Sequence, residues 1–210
     1  MSKQKWKSDP NLYDCKRDKS NKKNINYYNI YIKEFLSTDP VRDWESIDRC
    51  IELWEWTKNF INIDKKMSVL DCGTKDGQFT AWLEKQGYDS IGIEIDDQYV
   101  KYAQSKNRNV IKGDICNIKY KAKTFNVTFA HHVMGLVPDY QKSIKEMIRV
   151  TKQNGIIIFC NQIPGNPRKH YCLVKSVDEL SNMINECQKH KKIFFDYWRK
   201  DEHVSILKRA

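Results

Sequence analysis

From Met67 onward, short apolar runs alternate with stretches whose apolar residues recur at steps of three and four. That alternation marks strands interleaved with amphipathic helices. Ser68–Cys72 reads as a first strand, and Phe79–Gln86 as a helix that Gly87 stops. Ile91–Glu94, Val110–Lys112, Phe125–Ala130 and Gly155–Cys160 read as the next four strands. Asp97–Ser105 reads as a helix with Tyr99, Val100 and Ala103 inward, and Tyr140–Val150 as another with Tyr140, Ile144, Met147 and Ile148 on one side. Ser176 and Glu179 form a capping box that opens a helix through Leu180, Met183, Ile184 and Cys187. Lys192–Tyr197 and His203–Leu207 read as two closing strands. Strands alternating with helices predict a doubly wound, mostly parallel α/β sheet. The connection Trp198–Glu202 is too short for a crossover helix, so the last two strands are expected to form an antiparallel hairpin.

The pattern is different before Met67. Residues 1–24 carry eight Lys and Arg against three Asp and form a basic arm. Tyr27, Tyr28, Ile30, Tyr31, Phe35 and Leu36 then suggest a short helix. A second helix is expected from an Asp39 cap and Pro40, running to about Phe60 with Val41, Trp44, Ile47, Ile51 and Trp54 on one stripe. The expected organisation is therefore an arm over 1–24 and a single domain over 25–210, with a helical cap at 25–66 and the α/β core at 67–210.

Composition narrows the classes. The 210 residues are 40% apolar and 12% aromatic, too much bulky apolar matter for a disordered chain. No apolar run approaches the roughly 20 residues that span a bilayer, so no membrane contact is expected. The opening MSKQKWKSDP has no apolar segment behind its charges, which argues against a secretory signal. A soluble, cytoplasmic protein is expected. Seven scattered cysteines, never in a C-x-x-C pair, read as reduced thiols rather than as a disulfide framework, and no metal site is expected from them. The net charge of +10 makes a polyanion a candidate partner for the basic arm; a solvated terminus is the plainer reading.

Candidate chemistry begins in the turn after the first strand, Asp71-Cys-Gly73-Thr-Lys75-Asp-Gly77. A dinucleotide fold asks for G-x-G-x-x-G, so that the backbone can approach a pyrophosphate. Here Lys75 stands at the second glycine, and Asp71 brings a carboxylate that suits an amine better than phosphates. Glu94 ends the second strand, where a carboxylate can accept from ribose hydroxyls. Asp114 follows the third strand and can accept from an adenine amine. Taken in order, these acids describe a pocket for amine, ribose and adenine without phosphate.

With those residues, the sequence resembles the class I, Rossmann-like S-adenosylmethionine-dependent methyltransferases, in their small single-domain form. The resemblance covers about residues 45–210. The family's D-x-G-x-G-x-G motif is met at Asp71, Gly73 and Gly77 and broken at Lys75. It implies S-adenosylmethionine as cofactor, with Asp71, Gly73, Gly77, Glu94, Ile95, Asp114, Ile115 and His131 around it. It also implies a seven-stranded sheet in the order 3-2-1-4-5-7-6, the last strand antiparallel.

After the fourth strand the chain reads Ala130-His131-His132-Val133. By the resemblance, this segment meets the cofactor's methionine end and the incoming acceptor, which makes His131 and His132 candidates for taking a proton from the acceptor. His132 is preferred because it lies further from the strand. Many small-molecule methyltransferases carry a histidine a few positions later, where Leu136 stands here. The amino-methyltransferase motif [DNS]-P-P-[YFW] and a Pro-Cys nucleophile are both absent after strand four. The acceptor, small molecule or nucleic acid, is not identified by these residues. A non-catalytic module binding S-adenosylmethionine or a partner is the alternative, and a nicotinamide oxidoreductase is disfavoured by Asp71 and Lys75.

Overall fold

The computed structural model describes residues 47–164, 174–187 and 189–210. The basic arm and the expected first helix lie outside the described residues, as does the Asp39 start of the second. What is described of that second helix is α1, Asp48–Thr57. It ends three residues before Phe60, where the Thr57 hydroxyl donates to the Trp54 carbonyl and the chain turns. Then follow β1 (Ser68–Cys72), α2 (Gln78–Lys85), β2 (Asp89–Glu94), α3 (Asp97–Ser105) and β3 (Val110–Lys112). After these come β4 (Phe125–His131), α4 (Tyr140–Val150), β5 (Thr151–Gln162), α5 (Val177–Asn185), β6 (His190–Arg199) and β7 (Glu202–Arg209).

The helix boundaries follow local chemistry. Asp96, Asp139 and Ser176 cap α3, α4 and α5, each side chain accepting from a first-turn N–H. Gly87, at φ 93°, ends α2 in the left-handed region that favours glycine. The seven strands form one sheet in the order β3-β2-β1-β4-β5-β7-β6. β1 to β5 run parallel, while β7 pairs antiparallel with both β5 and β6. Arg199 and Glu202 end the hairpin strands and leave a two-residue turn between them. The Rossmann-like sheet is the expected one.

Five strands are longer than expected, β2, β4 and β7 by one to three residues and β5 and β6 by more. β5 begins at Thr151 rather than Gly155, because Phe125 pairs with Thr151 and Val127 with Ile156, so β5 bulges by three residues. Asn154, at φ 61°, lies in that bulge. β6 extends to His190 and Arg199 with register shifts between Lys192 and Phe194 and between Tyr197 and Arg199.

Apolar layers cover both faces. On one, α1 and α2 pack Leu53, Trp54, Phe79 and Leu83 onto Val69, Phe129, Ile158 and Val204. On the other, α4 and α5 pack Ile144, Met147, Leu180 and Met183 onto Leu70, Ile157 and Leu207. Trp54 is fully buried and meets Phe79, Tyr88 and Phe129 edge-on at 5.3–6.1 Å between ring centroids. This contact seats α1 across the sheet. Trp54→Ala is expected to cost about 3–5 kcal/mol, read as a lower urea midpoint.

Candidate functional site

Consecutive parallel strands end side by side, so their last residues share one edge of the sheet, where this class of sheet places its ligands. The turn after β1 is tied to β2 by the Gly73 and Thr74 N–H groups, which donate to the Ile93 carbonyl at 2.8 and 3.1 Å. Gly73, Lys75 and Gly77 all have positive φ, at 72°, 54° and 74°. Lys75, where the family motif has glycine, therefore takes the backbone conformation that glycine would. Its N–H donates to Glu94 at 2.8 Å, and its ammonium lies 5.1 Å from the Tyr99 ring centroid. A Cβ on Gly77 would come within 2.5 Å of Val110, and one on Gly73 within 2.5 Å of Val133. The second near-contact sets the segment after β4 directly against the glycine turn.

The predicted carboxylates stand at that edge. Asp71 is buried, and its Oδ2 accepts from the Thr80 hydroxyl at 2.9 Å, while Thr80 also bonds Thr74 at 2.8 Å. Burial, partly offset by those hydroxyls, pushes the Asp71 carboxyl up to about 6. Glu94 is buried as well; Oε2 accepts from Lys75, and Oε1 from Ile95 and Asp96 at 2.7 and 3.0 Å. Burial raises its carboxyl against the pull of those N–H groups. A carboxylate has about four acceptor positions, so the three backbone donors leave Glu94 room for one more. Neither Asp71 nor Glu94 has a salt-bridge partner among the described residues. Asp114 is half-buried beyond β3 and accepts from the Cys116 N–H at 2.8 Å. Ile95 is half-exposed beside Glu94, while Ile115 is buried in the core layer facing α4.

The histidines end β4. His132 takes φ 56°, which few residues other than glycine and asparagine adopt. Its N–H donates to the Cys160 carbonyl at 2.8 Å. The two imidazoles stack at 4.3 Å. Burial, the neighbouring imidazole and the cations of Arg49 and Arg199 push His131 down to about 3, so it is neutral at pH 7 and a poor proton acceptor. Burial also lowers His132, against the opposing charge of Glu202. Its Nε2 lies 3.2 Å from Glu202 Oε1, but without hydrogen-bond geometry. Arg49 of α1 donates to the same Glu202 oxygen at 2.9 Å.

The sequence reading passed over Thr74, Thr80, Cys160, Glu202 and Arg49. Thr74 and Thr80 flank the glycine turn and could have been noticed as hydroxyls near Asp71. Cys160 and Glu202 reach the edge through strand register and Arg49 through the packing of α1, neither of which a local signal carries.

Residues 70–159 match the methyltransferase domain family. The resemblance to class I S-adenosylmethionine-dependent methyltransferases holds. A demethylmenaquinone methyltransferase of Geobacillus is 28% identical over 142 residues, covering 62% of this chain and 60% of that protein. The chain thus spans less than two thirds of that relative's length. A solved protein of Pyrococcus horikoshii superposes with a TM-score of 0.67 at 16% identity, covering 86% of this chain and 98% of its own. An S-adenosylmethionine-dependent methyltransferase of Aquifex aeolicus gives 0.62 at 20% identity, covering 85% and 97%. At those identities the superpositions speak for the fold. No helix among the described residues is long and apolar enough to cross a membrane.

Two expectations follow from the turn. Lys75→Gly should stay within about 1 kcal/mol of the parent, since relief of the left-handed backbone offsets a floppier unfolded chain. Gly77→Ala should be clearly less stable in the same denaturant titration, because it combines positive φ with the Val110 contact. Asp71 adds a pH dependence. Its folded-state value of about 6 exceeds the ordinary 3.8. The native state therefore holds the proton more tightly, and that stability fades as pH rises through about 6. Asp71→Asn should gain on the parent between pH 4.5 and 8, by on the order of 2–3 kcal/mol, measured as paired unfolding curves.

Proposed function

We propose that this chain is an S-adenosylmethionine-dependent methyltransferase whose acceptor is a small molecule or a nucleic acid. The observation that carries the reading is a set of acceptor-only groups at the ends of β1, β2 and β3, two of them buried with no ion-pair partner among the described residues. Buried carboxylates call for donors, and the cofactor offers three kinds: an ammonium, ribose hydroxyls and an adenine amine. In this reading Asp71 faces the ammonium, Glu94 one ribose hydroxyl and Asp114 the adenine amine. Gly73 and Gly77 permit the tight turn, and Ile95 and Ile115 belong to the walls around ribose and base.

When bound, S-adenosylmethionine supplies a methyl group on a positively charged sulfonium, open to in-line displacement. The protein's own contribution is alignment and exclusion of water. The segment 131–133, packed on the glycine turn, forms the acceptor side of the pocket. Of its two imidazoles, His132 is the one supported as a proton acceptor, because Glu202 can stabilise its charged form while His131 is held neutral. Either role is needed only where the acceptor keeps its proton until reaction.

Titration calorimetry with S-adenosylmethionine and its demethylated product should show binding. Glu94→Ala should weaken it by about 1–3 kcal/mol in protein that circular dichroism shows to be folded. Label from the methyl group should then appear in one of separated metabolite, nucleic-acid or protein pools, with demethylmenaquinone, named for the curated relative, among the metabolites. Binding without transfer to any pool would favour a non-catalytic module. Unaltered affinity in Glu94, Asp71 and Asp114 variants alike would remove the cofactor assignment.

A further inference from the structure

His131 ends β4 and His132 follows it, and Cys160 lies in register with His131 on the adjacent strand β5. Parallel neighbours in register project to the same face, so strand pairing brings the thiol beneath the two imidazoles. Their ligand-type atoms lie within 4.8 Å of one another. Both Nε2 atoms are buried without a hydrogen-bond partner among the described residues. Glu202, 2% exposed, also leaves Oε2 without a partner, and its Oε1 stands 3.2 Å from His132 Nε2 without bonding it. Buried polar atoms are ordinarily paired, and leaving one without a partner is costly. Several unpaired atoms converging on one small volume are the arrangement a missing ligand leaves behind.

The chemistry of the set selects the ligand. Two imidazole nitrogens and a thiol suit a borderline-soft divalent cation, zinc above all, whereas magnesium and calcium require oxygen. Ligand atoms around tetrahedral zinc lie about 3.3–3.8 Å apart, from bond lengths of about 2.0–2.3 Å, so modest side-chain rotation closes the site. The left-handed backbone of His132 has a reason in this arrangement, since it turns the second imidazole toward the first instead of onto the opposite face as strand alternation would. We propose that His131, His132 and Cys160 bind one zinc-class cation through Nε2, Nε2 and Sγ, with the fourth position open and the Glu202 carboxylate beside it. The cation's site stands on coordination alone. A part in catalysis rests on the methyltransferase reading, with His132 then a ligand in place of a proton acceptor: a three-ligand cation at the acceptor side can take an acceptor oxygen, nitrogen or sulfur into its open position and favour its deprotonated form.

The full chain, stripped with chelator and titrated with cobalt(II), reports the site directly. One equivalent should bind with the visible bands of a tetrahedral ion and a thiolate-to-cobalt charge-transfer band near the ultraviolet edge. Cys160→Ser should abolish the charge-transfer band. His132→Asn, which keeps a residue tolerant of positive φ, should weaken zinc at least tenfold in competition with a chromophoric chelator. If Cys160→Ser does not fold, the His131→Gln and His132→Asn pair decides the matter by the same competition. Substoichiometric cobalt in the parent, or unchanged affinity in the histidine variants, would overturn the proposal. S-adenosylmethionine affinity measured on the same samples fails or succeeds separately, so loss of one reading is not mistaken for loss of the other.

Discussion

Glu94 gathers three backbone N–H groups onto two carboxylate oxygens, one from the glycine turn after β1 and two from the turn that leaves β2. Charge-assisted bonds of this kind are among the stronger ones in proteins, and here they join two loops at that edge, beside the Gly73 and Thr74 N–H bonds to Ile93. Lys75 is held in its left-handed conformation by one of them. The turn in turn carries Gly73 against Val133, and so sets how far the end of β4 stands from it. Much of the geometry of that edge is thus referred to one side chain. Burial works against the charge of that side chain, and the three donors keep it tolerable. A group that holds a loop and still has an acceptor position to spare is well suited to sense a bound ribose.

Asp71 shows the same economy with a different outcome. Its partners are hydroxyls, which donate one hydrogen each and can rotate away. Thr80 sits on α2 and Thr74 on the turn, so the carboxylate is held by groups that a cationic ligand could supplement without displacing. The carboxyl therefore lies in an environment that favours its proton when alone and its charge when an ammonium approaches.

Much of this was legible in the sequence because it is written in local period. β1, α3, β3 and α4 have the expected bounds, since alternation, caps and glycines act within a few residues. Strand order followed from connection lengths and the family resemblance. The bulge that begins β5 was not legible: Thr151–Asn154 is polar, and only pairing with β4 makes it strand. The early end of α1 turned on a single hydroxyl of Thr57. At the candidate site, Asp71, Glu94 and Asp114 were placed by strand ends, but their partners were not. Cys160 looked like one more buried thiol until register set it beside His131, and Glu202 reached His132 only through the β5–β7 pairing. What the sequence hides is what two distant strands decide together.

The edges of the sheet bear on how the molecule behaves in a crowd. β3, at one edge, has three residues, too few to template much of a neighbour. β6, at the other, is ten residues long and, among the described residues, pairs only with β7. A long free edge invites another chain to add to it. Here Lys191 and Lys192 place charge on that edge, and the irregularities at Lys192–Phe194 and Tyr197–Arg199 interrupt it twice. An incoming strand would lose step at each interruption, and would meet the Lys191 and Lys192 charges before the first of them. The last of the seven strands among the described residues is thus a poor template for an incoming chain.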